Sequence, residues 1–200
     1  MISDPTSFSS DLTSDRLSVI ASLLLDARYK ALHDANTELD DRYTQGCLAF
    51  GRQRQAIIKA WNNKLYPWLS ITHKGTDLVF KIGPVLARFF TDDPHKPKKS
   101  TVLIPSYAES TQLNIFEPSD TDVVLWRFIL EPALSDDNDD AVFFIGINAS
   151  NEILCRWKYE RSATVLHSID HTTPQAKELA PALVLPKTDQ AALGQNQNHV

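Results

Sequence analysis

The segment YPWLSITHKGTDLVFKIGPVLARFF, Tyr66 to Phe90, is where the spacing of apolar residues changes. Upstream, apolar side chains recur every three to four positions, the helical period. Within the segment the period is two: Leu69 and Ile71 alternate with Ser70 and Thr72, and Leu78, Phe80 and Ile82 with Val79 and Lys81. HKGTD turns the chain between these runs, and Gly83-Pro84 separates the second from Val85–Phe90. Consecutive strands with links too short for a helix predict an antiparallel meander. The expected fold class is therefore α+β: an N-terminal two-helix hairpin, or one long kinked helix, packed on an antiparallel β-meander of five to seven strands.

Upstream, residues 1–13 are polar and read as a flexible arm, and residues 14–66 as the helical hairpin. Thr13 or Ser14 caps a first helix with Asp15 in its first turn. At 100° per residue Leu17, Ile20, Ala21, Leu24, Ala27, Ala31 and Ala35 share one face. HDANTELDD, residues 33–41, is polar on every side and predicts a break or kink. Asn36 or Thr37 caps a second helix, with Thr37 and Asp40 at capping-box spacing. This helix is expected to bury Leu39, Tyr43, Cys47, Phe50, Ile57, Trp61 and Leu65, and to end at Pro67.

Downstream, residues 67–173 read as the antiparallel sheet, making 14–173 one folded unit. Thr101–Ile104 and Gln112–Phe116 are weaker expected strands. Val123–Leu130 (VVLWRFIL) is almost wholly apolar, as a strand covered on both faces is. Ala141–Ile147 pairs with Ile153–Tyr159. SATVLHSIDH (162–171) reads as an edge strand and PQAKELAPAL (174–183) as a short helix, within an extension at 174–200 expected to be mobile at its end.

Two hundred residues, 42% hydrophobic and 22% charged, suit one domain with or without an appendage. No basic stretch followed by an apolar run marks a secretory signal at Met1–Ser10, and the longest apolar run is too short to span a bilayer. The expectation is a cytoplasmic protein without membrane contact. Cys47 and Cys155 are expected to be reduced, on the apolar sides of their elements and unreactive.

Motifs for chemistry are sparse. No acid-x-Lys triplet, glycine-rich phosphate loop, HExxH or paired CxxC occurs. His167 and His171 stand four apart around Asp170, a metal spacing on a helix, but their surroundings read as strand and loop. Asp136, Asn138 and Asp140 resemble the start of a calcium loop, yet Ala141 stands where glycine belongs and Ile147 where the bidentate acid belongs. No catalytic residue, metal ligand or cofactor is assigned.

Charge is the remaining signal. Residues 51–100 carry ten Lys/Arg against three acids, and residues 101–150 carry Arg127 alone against nine, in a chain of net charge −5. Arg52, Gln55, Lys59 and Asn63 form one ridge of the second helix, and Lys96, Lys98 and Lys99 crowd one loop. Together they define an expected basic face for an anionic partner. The acidic total favours a non-enzymatic accessory protein docking an acidic protein surface. The alternative is sequence-nonspecific nucleic-acid binding, with Tyr66, Trp68 and His73 offering rings for stacking. A small enzyme without a readable motif is a second alternative. Against all three stands docking of the basic third on the chain's own acids Glu117, Glu131 and Asp136–Asp140.

Overall fold

The computed structural model describes residues 3–113, 118–133 and 139–161. The expected edge strand at 162–171, the helix at 174–183, His167, His171, Asp136 and Asn138 lie outside the described residues. So do Glu117 and residues 114–116.

Two 21-residue helices open the fold, α1 (Ser14–Asp34) and α2 (Arg42–Asn62). Thr13 caps α1 by accepting from the Arg16 amide at 3.4 Å. The chain breaks at residues 35–41, where Thr37 donates through its amide and hydroxyl to Asp40. That pair closes the connection but does not start α2, whose cap is Asp41 accepting from the Thr44 amide at 2.8 Å. Helix α2 ends at Asn62, before Pro67, because Lys64 takes a left-handed conformation (φ 53°).

Six strands complete the fold: β1 (Leu69–His73), β2 (Val79–Ile82), β3 (Val85–Thr91), β4 (Leu125–Glu131), β5 (Ala141–Ile147) and β6 (Ile153–Lys158), lying side by side in chain order. Gly83 turns β2 into β3 at φ 59°, where a Cβ would meet the Asp11 carboxylate at 2.5 Å, so glycine alone fits. All neighbours are antiparallel except β3 and β4, which run parallel with Arg88 opposite Arg127.

A parallel pair needs a crossover, and residues 92–124 supply it. Within it are α3 (Ser100–Leu103) and α4 (Tyr107–Leu113). The expected strand Thr101–Ile104 is thus a helical turn, and Gln112 and Leu113 close another. A four-residue apolar run has the same pattern in a buried turn as in a strand.

The sheet is covered on both sides. Beneath the hairpin, Leu17, Ile20, Leu24 and Ile57 pack with Phe80, Phe128 and Phe144. On the opposite face Val102 from the crossover packs on Leu125, Ile129, Phe143 and Ile145. Strand β4 has six consecutive buried residues, matching the two-sided covering read from VVLWRFIL.

Two expectations of burial are corrected. Residues 3–12 are not a free arm: Ser3 bridges Cys155 beside β6, Pro5–Ser7 form a 3-10 turn and Leu12 is fully buried. Helix α2 buries Ala49, Gln53, Ile57, Ile58 and Ala60, while Leu39, Tyr43, Cys47, Phe50 and Leu65 are exposed. Gln53 lies inside because its amide donates to the Leu24 carbonyl at 3.1 Å, joining the helices through a satisfied polar contact.

Candidate partner interface

Arg88 and Arg127 project from neighbouring strands on the face away from the hairpin. Arg127 is the largest fully buried side chain. It donates to the carbonyls of Val102 (2.8 Å) and Trp126 (3.0 Å) and forms a two-pronged pair with Glu109, itself buried on α4. The Glu109 carboxylate also accepts from the Ser106 amide at 2.7 Å and lies 3.8 Å from the Arg88 guanidinium. Arg88 donates to the Ile104 carbonyl at 3.1 Å and pairs with Asp77 in the β1–β2 turn. Both guanidinium groups lie over the Phe90 ring, with Cζ to centroid distances of 4.7 and 5.7 Å. Burial pulls the Arg127 pKa below its ordinary value and the Glu109 carboxylate opposes it. Such a pair is a poor source of stability but a strict geometric constraint. Its acceptors on residues 102, 104 and 109 hold the crossover to the sheet.

The crossover in turn presents an exposed surface. Asp92 accepts from the amides of Lys98 (3.0 Å) and Lys99 (2.8 Å), and Asp93 from those of His95 (2.8 Å) and Lys96 (3.3 Å). The His95 amide leads in holding the Asp93 carboxyl below its usual range. Lys99 Nζ donates to the Thr91 carbonyl at 2.5 Å. Among the described residues no carboxylate pairs with Lys96 or Lys98. Further along, Ile104 is 57% and Tyr107 89% exposed. Cations and large apolar side chains therefore share one segment.

The helix ridge has contacts of its own. Arg52 pairs with Asp34 and donates to the Lys30 carbonyl at 3.0 Å, both at the end of α1. Gln55, Lys59 and Asn63 are exposed. Arg54, which falls on the apolar side by count, donates to the carbonyls of Lys74 and Gly75. Of the four ridge residues, Arg52 is therefore already engaged by its own chain, while Gln55, Lys59 and Asn63 stay exposed. The part of the acidic turn that is described docks on α1, with Asp140 on Arg28 and Asp139 accepting from the Tyr29 hydroxyl at 3.2 Å.

A cleft of about 1110 Å³ opens between the hairpin and the end of the sheet, with Arg42, Gly46 and Phe50 of α2 on one side and Lys99 and Thr101 of the crossover on the other. Phe50 stacks on Phe89 in it at 5.3 Å. A second pocket of about 540 Å³, lined by Phe8, Val123 and Trp126, includes Glu109, whose carboxylate is already engaged.

Among the described residues no three His, Cys, Asp or Glu side chains are grouped to hold a metal, and no helix is long and apolar enough to cross a membrane. Cys47, expected on a buried face, is exposed; Cys155 is buried and its thiol is pushed up to about 12 by desolvation. Sequence reasoning missed Arg127 and Glu109. The visible signal was a charged residue inside an otherwise apolar strand, which has to meet a partner when both faces are covered. No family model, curated protein or solved structure matches this chain.

Proposed function

We propose that this protein is a non-enzymatic, cytoplasmic accessory protein that docks an anionic partner protein through the crossover between β3 and β4. The observation that carries the reading is the exposure of Ile104 and Tyr107 on the same segment as Lys96, Lys98 and Lys99. Apolar anchors rimmed by charge are the usual make-up of a protein interface, and complementary charge steers and orients the encounter. A backbone held by Arg88 and Arg127 loses little freedom on binding, which favours affinity. Two free cysteines agree with a reducing compartment.

The test compares the wild-type protein, a Lys96→Glu/Lys98→Glu/Lys99→Glu triple variant, Tyr107→Ala, and Arg52→Glu/Lys59→Glu for complexes recovered from the native host. A stoichiometric complex lost in the first two variants and kept in the third supports the crossover. A complex lost only with Arg52 and Lys59 assigns the interface to the helix ridge instead. Oligonucleotide binding that falls steeply with salt and vanishes in the triple variant replaces the protein partner with nucleic acid.

A further inference from the structure

Of the seven large apolar side chains exposed among the described residues, Leu39 stands in the α1–α2 connection, Tyr43 in the first turn of α2, and Ile104 and Tyr107 on the crossover. Leu39 is 92% exposed and Tyr43 77%, an unusual cost for two side chains so close in sequence. Their charged neighbours differ in sign. Glu38, Asp40 and Asp41 flank the first pair with only Arg42 opposing them, while Lys96, Lys98 and Lys99 precede the second.

The two segments also border the same opening. Arg42 and Gly46, directly after the α1–α2 connection, form one side of the cleft, and Lys99 and Thr101 form the other. Phe50, a fifth exposed apolar side chain, lies inside it. Within one molecule the charges do not meet among the described residues: Asp40 closes on Thr37, Asp41 caps Thr44, and Lys99 donates to a carbonyl.

We propose that the partner is a second copy of this chain, with Leu39 and Tyr43 amid Glu38, Asp40 and Asp41 of each copy seated on Ile104 and Tyr107 beside Lys96, Lys98 and Lys99 of the other. This rests on the crossover being the docking surface, and names what docks there. Arg42, next to Tyr43, and Lys99 line the same cleft, and a twofold axis lets the two contacts form at once, the self-complementary arrangement typical of homodimers. Each contact joins an acidic apolar surface to a basic apolar one, so attraction is screened by salt while the apolar part is not.

Sedimentation velocity over a concentration series, at low and high salt, reads the result directly. The wild-type protein forms a dimer that weakens with salt. The Lys96→Glu/Lys98→Glu/Lys99→Glu variant and a Glu38→Lys/Asp40→Lys variant each weaken it by about tenfold or more. Mixed together, the two variants associate again, since each supplies the charge that the other lacks. Leu39→Glu, at a side chain with almost no contacts to lose, weakens the dimer without altering the circular dichroism. A wild-type protein that stays monomeric to about 1 mM overturns the proposal, as does a mixture that fails to reassociate. A monomer whose host complex is still lost in the lysine variant overturns self-pairing alone and leaves the crossover as the docking surface. Loss of neither dimer nor host complex in that variant overturns both.

Discussion

The two faces of the sheet are closed by different physics. Under the hairpin, Phe80, Phe128 and Phe144 meet Leu17, Ile20, Leu24 and Ile57, contacts that are numerous and indifferent to direction. On the other face a shorter, less apolar segment is held by two arginines, through one carboxylate and the backbone carbonyls of Thr101, Val102 and Ile104. Burial of carbon sets how stable a layer is, whereas a forked guanidinium sets where each atom of a layer goes. The hairpin face contributes stability, and the crossover face contributes shape.

Substitutions can separate these contributions, and the largest effects fall on the buried ion pair. Arg127→Leu takes the two-pronged partner from the buried Glu109 carboxylate, leaving only the longer Arg88 contact, and costs about 3 kcal/mol in urea unfolding. Phe128→Ala costs about as much, about 3–5 kcal/mol, by opening a cavity on the hairpin face. The contrast lies in their repair and their effect on binding. An Arg127→Leu/Glu109→Leu double variant recovers most of the stability but not partner binding, because the crossover is no longer fixed. Phe128→Ala, measured well below its melting temperature, keeps binding. Equal binding loss in both would remove the distinction between the faces.

Smaller effects sharpen the comparison. Gln53→Ala removes the Leu24 contact at the helix–helix seam and costs about 1 kcal/mol. Thr13→Ala costs about 1 kcal/mol or less through its long cap contact at α1. Iodoacetamide at pH 8 labels Cys47 and leaves Cys155 untouched in the folded protein, with both labelled in urea. The smallest effect is with acid. Asp34 is held low chiefly by Arg52, Asp41 by the Thr44 amide and Asp122 by the Ser119 amide. Their stabilisation is complete above the ordinary value of 3.8 and is lost as pH falls through the lowered folded values. Stability flat from pH 6 down to pH 2 would refute it.

These features were legible to different degrees. The alternation of Leu69, Ile71, Phe80 and Ile82 marks strands plainly, because a half-covered sheet imposes period two on the residues themselves. The polar stretch 33–41 likewise marks the break between helices. The rotation of α2 was hidden, since Gln53 lies inside through one hydrogen bond while Tyr43 and Leu39 stay outside. The parallel pairing of β3 with β4 was hidden too. It depends on Val102 and Glu109 reaching strand residues far along the chain, and TVLI reads equally as strand or turn. The basic loop was visible, but the pairing of Arg52 with Asp34 depends on how α1 and α2 pack together. Charge in sequence carries no distance in space.

The parallel register at the centre of the sheet also bears on how the chain reaches this state. Strands β1–β3 and β4–β6 are two sets of near neighbours in sequence, each able to zip through short turns. Joining them requires the whole of residues 92–124 to be brought round first, a loop closure whose entropy precedes any reward. The seam between β3 and β4 is therefore the slow event. Exchange of its amides with deuterium in a pulse-labelling refolding experiment should be the last to be protected.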